Sequence, residues 1–217
     1  MSRLVDLSHE IEHGMVTYPG LPAPVLSDHL SREASHDVYA EGYEFHIGRI
    51  DMVANTGTYL DVPFHRFADG HDLTGLDLAR VADVPGVVVD VPDQEAGAGL
   101  LEGVDVAGRA VLFRTGWDAH WGTERYGAPD HPFLSVACTE RLVAGGAAVV
   151  GIDSLNIDGT ADGERPVHTA LLAAGIPIVE HLTGLGALGD APFRFFALPP
   201  SVAGMGTFTV RAIAVVD

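Results

Sequence analysis

The stretch Ser135–Ile152, SVACTERLVAGGAAVVGI, contains a complete passage from helix to strand. Ser135 suits a helix N-cap, because its hydroxyl oxygen can accept an amide proton left free in the first turn. The chain then runs to about Ala144 without Gly or Pro. Gly145-Gly146 stop the helix, glycine being the residue that best tolerates the left-handed turn after a helix end. Ala147–Ile152 follows as a short apolar run of the kind found in strands buried on both faces. A second passage repeats the form: Val167–Ala174 predicts a helix, Gly175 ends it, and Ile176–Val179 predicts a strand. Two such passages imply an α/β layered domain.

Further strand signals extend outward from these two units. Tyr43–Val53 (YEFHIGRIDMV) mixes aromatic and β-branched residues with rough alternation and predicts a half-buried strand. Val87–Val89, Ala110–Phe113 and Thr207–Val216 add three more. Strands therefore outnumber helices, and the expected architecture is a strand-rich mixed sheet with few helices. No linker or internal repeat divides the chain. The acidic, Gly-rich stretch Asp93–Gly103 is short enough to be a surface loop, so residues 1–217 are expected to form a single domain.

Composition narrows the function. With 30 acidic against 12 basic side chains, the formal charge is -18. Such a polyanion repels phosphate backbones and anionic membrane surfaces, so neither nucleic acid nor membrane is an expected partner. The single Cys138 cannot form an internal disulfide or a Cys-rich zinc site. No apolar stretch reaches the ~18 residues of a membrane span, and the first residues lack the pattern of a signal peptide. A cytoplasmic protein acting on a small molecule is the expectation. Gly-x-Ser-x-Gly is absent, Ser201–Gly206 (SVAGMG) lacks phosphate-loop spacing, and Cys138 falls in a partly apolar helix where a thiol is inert packing.

Two segments carry chemistry. In Asn55–Gly70, NTGTYLDVPFHRFADG, Asp61 and His65 lie four residues apart around Pro63. Proline suits the first position of a helix, which would place Asp61 at the mouth of that helix and His65 in its first turn. The pair can bind a metal or act as acid and base; alternatively Asp61 is a cap and His65 a surface residue. In Val167–Leu182, VHTALLAAGIPIVEHL, His168 lies near a helix start and Glu180 in the following strand. A carboxylate in an apolar strand needs a cation, a metal or a donor. Strand alternation predicts that His181 points to the opposite face from Glu180.

The order of these residues resembles the cyclase family that contains bacterial kynurenine formamidases and isatin hydrolase. Its signature, His-x-Gly-Thr-His-x-Asp-x-Pro-x-His with a later His and a Glu twelve positions beyond, is matched by Asn55-Thr56-Gly57-Thr58-Tyr59-Leu60-Asp61-Val62-Pro63-Phe64-His65, then His168 and Glu180. Further matches include Val5–His9, Tyr18-Pro19-Gly20, Phe113–Trp117, Gly151–Ser154, Ile157-Asp158, Ala197–Pro199 and Val210–Ala212. The resemblance implies a swivelling β/β/α fold, a homodimer, and divalent metal used to hydrolyse a formamide. It assigns Asp61, His65, His168 and Glu180 to ligand or catalytic positions.

Two departures matter. Asn55 and Tyr59 stand where the family has histidine ligands. Amide and phenol are weak ligands, so one of a pair of metal sites should be lost. Two histidines and two carboxylates remain, adequate for one Zn²⁺ or Mn²⁺. His46 is either a replacement imidazole or an unrelated histidine. Asn55, Phe64 and Trp117 are candidate substrate contacts, the two aromatics by stacking unless they belong to the core. Three functions stay open: metal-assisted hydrolysis of a small amide or cyclic carbonyl compound, with His65 moving a proton; a metal-free acid/base cluster of Tyr59, Asp61, His65 and Glu180 acting on a lactone; and a non-catalytic metabolite binder.

Overall fold

A computed structural model of the chain describes residues 2–161 and 163–216. Strand β1 (Arg3–Asp6) is followed by a hairpin of β2 (Val25–Leu30) and β3 (Ile47–Asp51), with the one-turn helix α1 (Arg32–Ser35) between them. Next come β4 (Tyr59–Asp61), β5 (Val84–Asp90), β6 (Glu95–Ala96), β7 (Ala110–Arg114) and β8 (Phe133–Leu134). The two helix–Gly–strand units then appear as α2 (Val136–Gly145) with β9 (Val149–Ile152), and α3 (Pro166–Ala173) with β10 (Ile178–Glu180). Strands β11 (Phe193–Phe196), β12 (Thr207–Thr209) and β13 (Ile213–Val216) complete the described elements.

Nine strands form one mixed sheet in the order β1-β13-β11-β5-β7-β9-β10-β4-β12. Its centre, β5-β7-β9-β10, is parallel, and both flanks are antiparallel. Few helices and a dominant sheet agree with the α/β, strand-rich architecture expected from the sequence. The apolar runs at Ala110 and Val149 are strands with protein on both faces, and pleating sorts their side chains between two cores. Ala110, Leu112 and Val149 join one cluster, whereas Val111, Phe113 and Val150 join the other, beside Leu142 of α2 and Leu171 of α3. The Ser135 hydroxyl accepts from Cys138 N at 3.0 Å, and Gly146 takes φ 73° at the helix end.

Two strand expectations need correction. The Tyr43–Val53 signal yields the shorter β3, exposed at every residue rather than half-buried. It pairs only with β2 in a separate two-stranded sheet, so its alternation meets no second layer. Thr207–Val216 is two strands, because residues 210–212 leave β12 and cross to β13. Val210 N donates to Thr58 O, and Ala212 N to Ser8 Oγ. The two strands lie near opposite ends of the strand order, so three residues suffice to join them only because the sheet curls. The bridge from Ser8 to Leu182 closes the same curl.

Candidate metal and substrate site

Strand register creates the site. Antiparallel pairing sets Tyr59 opposite Glu180, and Thr207 opposite Asp61. Directly opposed residues hold their Cβ atoms ~5 Å apart, close enough for short polar side chains to meet. The Tyr59 hydroxyl accordingly donates to Glu180 Oε2 at 2.6 Å, and the Thr207 hydroxyl donates to Asp61 Oδ1.

Pro63 starts only a single 3-10 turn, Pro63–His65, instead of the expected helix. Asp61 caps nothing there: it is the last residue of β4 and fully buried. What holds His65 in place is the chain entering β12. Val62 N donates to Gly206 O at 2.8 Å, and a Cβ at Gly206 would stand 2.2 Å from His65 N. Only glycine permits that approach. Gly206→Ala is therefore expected to cost about 1–3 kcal/mol through forced displacement of the turn, read as a lower urea midpoint at unchanged slope. An unchanged midpoint would show that the turn moves freely and does not fix His65.

Hydrogen-bond directions settle the imidazoles. The Thr207 proton goes to Asp61, so the contact of Thr207 Oγ1 with His65 Nδ1 at 2.8 Å requires a proton on that nitrogen. The His65 Nε2 lone pair is left for the cavity. His168 Nδ1 lies 2.7 Å from Asp158 Oδ2, and the same carboxylate accepts from Val167 N and His168 N at the start of α3. His168 Nε2 then faces Asp61 Oδ2 at 3.8 Å and Glu180 Oε1 at 3.6 Å. Asp61 Oδ2 is buried with no hydrogen-bond partner among the described residues. Asp61, His65 and His168 each offer a ligand atom within 4.8 Å of the others. Two imidazole nitrogens, once His168 has given up its Nε2 proton, and an orphaned carboxylate oxygen form a donor set that fits a divalent cation. Glu180 adjoins this trio, but both its oxygens accept hydrogen bonds, from Tyr59 and from Ile157 N at 2.7 Å.

The charges are tightly linked. Burial alone would lower the His168 pKa, but the Glu180 and Asp61 carboxylates and the bond to Asp158 outweigh it and hold it up, at about 10. Burial would raise Asp61, yet its contacts with His168 and His65 hold it below the usual carboxylate range. Burial pushes the Tyr59 phenol well above its ordinary value, with the charges of Glu180 and Asp61 acting in the same direction. Tyr59 is thus a donor to Glu180, not a metal-ligating phenolate.

Asn55, Tyr59, His65, His168 and Glu180 line one cavity of about 310 Å³, together with Tyr18, Leu21, Asn156, Arg66 and Arg165. The structure gathers five sequence candidates there, buries Asp61 against His65 and His168 beside them, and leaves three outside. Trp117 is core, packing with Tyr126 and Leu155 and donating Nε1–H to Tyr126 O at 2.9 Å. Phe64, next to the lining residue His65, is 37% exposed and does not line the cavity. His46 pairs with Asp28 at 2.8 Å on the exposed hairpin. His181 also departs from strand alternation. The strand ends at Glu180, and a left-handed φ of 56° at His181 returns its Nε2 to within 3.3 Å of the Tyr59 hydroxyl, while Nδ1 accepts from Tyr126 at 2.7 Å. Burial lowers its pKa to about 3, so it stays neutral and supports Tyr59 from behind. Asp158, Thr207 and His181 were not read as site residues from sequence. Thr207 sits 146 residues from Asp61, and no spacing rule spans that gap.

The chain is similar to known proteins along nearly its whole length. Over 215 residues the chain is 28% identical to a kynurenine formamidase of Bacillus cytotoxicus, covering 98% of this chain and 97% of the relative. An isatin hydrolase bound to the product analogue thioisatinate superposes with a TM-score of 0.81 at 21% identity, covering 99% of this chain and 92% of that one. Isatin hydrolase A from Ralstonia solanacearum gives 0.84 at 20% identity, covering 100% and 92%. The cyclase family model matches residues 5–159, well over half of the chain, and the chain belongs to the cyclase family.

Proposed function

We propose that this chain is a metal-dependent hydrolase that cleaves the C–N bond of a small amide, as an arylformamidase does, or opens a related cyclic carbonyl compound. The observation that carries this reading is the convergence of Asp61 Oδ2, orphaned and buried, with Nε2 of His65 and Nε2 of His168. One Zn²⁺ or Mn²⁺ suits that donor set. When bound, such an ion supplies Lewis acidity, bringing the pKa of water toward ~7 and polarising a carbonyl oxygen. Glu180, held by Tyr59 and Ile157 N, faces the same space. The Bacillus relative's name, kynurenine formamidase, supports an aryl formamide as first trial substrate. Elemental analysis and formamide hydrolysis before and after chelation test the proposal; turnover that survives complete metal removal would sink it.

That last result would instead favour a metal-free acid/base site. The specific observation behind this alternative is the 2.6 Å Tyr59–Glu180 bond, formed at a position where the family pattern has a histidine ligand.

A homodimer is part of the proposal. Leu26 and Ile50, opposed across the β2–β3 hairpin, share one face and are both exposed, an apolar pair of the kind found on association surfaces. Leu26→Asp with Ile50→Asp is expected to turn a dimer into a monomer by light scattering, without loss of fold by circular dichroism. A variant that stays dimeric would move the interface elsewhere.

A further inference from the structure

Resting on the hydrolase function proposed above, we propose that Arg66 selects substrates bearing a carboxylate and holds that group at the cavity mouth. The neutral, scissile carbonyl then enters first.

All twelve basic residues are arginine, against thirty carboxylates. Arg109, Arg114, Arg125, Arg194 and Arg211 are each paired with an aspartate. Arg66, like Arg3, Arg32, Arg49, Arg80 and Arg141, has no carboxylate within ion-pair reach among the described residues, and of these six it is the one that lines the cavity. Its position is nevertheless fixed. Nε donates to Thr169 Oγ1 at 3.2 Å, Thr169 is itself anchored to Arg165 O at 2.7 Å, and the guanidinium lies 5.4 Å from the Phe67 ring centre. The tether uses Nε alone, so the terminal N–H groups form an open fork. Such a planar fork matches a carboxylate in two parallel hydrogen bonds. Arg165 adds positive charge to the same rim while its Nη1 serves the carbonyls of Gly159 and Glu164.

Burial gives the cavity a polarity. Glu180 is 1% exposed and Asp61 0%, whereas Arg66 is exposed. A substrate carboxylate is attracted to the guanidinium groups at the rim, which leaves the uncharged carbonyl to reach the floor. About 310 Å³, flanked by Tyr18 and Leu21, admits one aromatic ring with its substituents. The matching substrate class is an aryl amide with a carboxylate on the side of the ring away from the scissile bond.

The test compares 4-formamidobenzoate with its methyl ester as substrates of the metal-loaded protein, and benzoate with benzamide as ligands by calorimetry. Arg66→Ala is expected to lower the acid-over-ester ratio of kcat/KM about tenfold, chiefly through KM, with a similar loss in the benzoate-over-benzamide ratio. Arg66→Lys should recover part of it, because charge returns without the fork. Both ratios unchanged in Arg66→Ala would overturn the assignment of the carboxylate to Arg66. The two levels separate cleanly. Hydrolysis of acid and ester alike, indifferent to Arg66, removes the substrate class and leaves the hydrolase. Arg66-dependent benzoate binding without hydrolysis of either compound sustains the carboxylate site and removes the hydrolase.

Discussion

If the proposed metal-dependent hydrolysis holds, Asp61→Asn is expected to abolish metal binding and to lower kcat/KM by at least about 10²–10³-fold, the range seen when one well-placed electrostatic group is removed. The substitution is nearly isosteric. Its carbonyl oxygen still accepts the Thr207 proton, so the β4–β12 contact survives. The amide nitrogen replaces Oδ2, putting N–H groups where the buried, unpartnered oxygen had faced His168 Nε2. A ligand atom becomes a donor. Metal-free stability should fall, because His168 and His65 hold the Asp61 carboxylate below the usual range and the folded protein therefore favours its charge. The wild type should gain about 2.7 kcal/mol from metal at a hundred times its Kd, and the variant nothing. Elemental analysis together with thermal melts, with and without chelator, reads all of this. One ion per chain retained in Asp61→Asn would show that Asp61 is not a ligand.

The legible part of this site was local, and the hidden part was long-range. Ser135 with Gly145-Gly146, and Gly175 before Ile176, announce their own elements, because caps and glycine stops act over a few residues. Asp61, His65, His168 and Glu180 stood out because a carboxylate or imidazole amid apolar neighbours needs a partner. Their partners were not legible. Asp158 and Thr207 are ordinary loop and strand residues until the register of β4 with β12, and the start of α3, bring them into contact. Tyr43–Val53 misled for the converse reason. Its alternation was real, but whether a second layer covers a strand is decided by topology, not by the strand. His181 evaded the alternation rule at the point where the strand stopped, and a residue with positive φ no longer obeys a period of two.

Metal affinity should fall steeply with acid, and the slope identifies His168. An imidazole must give up its proton from the ligating nitrogen before it can bind a cation. In the metal-free protein His168 keeps its proton up to about pH 10, held by Glu180, Asp158 and Asp61 against the opposing effect of burial. Below that value every binding event displaces one proton from this residue. Affinity therefore drops about tenfold per pH unit, or about a hundredfold from pH 8 to pH 6. Competition against a chromophoric chelator gives the slope, and calorimetry in two buffers of different ionisation enthalpy gives the proton count. Asp158→Asn sharpens the test. It removes the hydrogen-bond partner that helps hold His168 protonated and frees the ring to turn, so affinity at high pH should fall about 10–100-fold. An affinity flat from pH 6 to pH 8 in the wild type would mean that His168 releases no proton on binding, and that it is not the ligand this site requires.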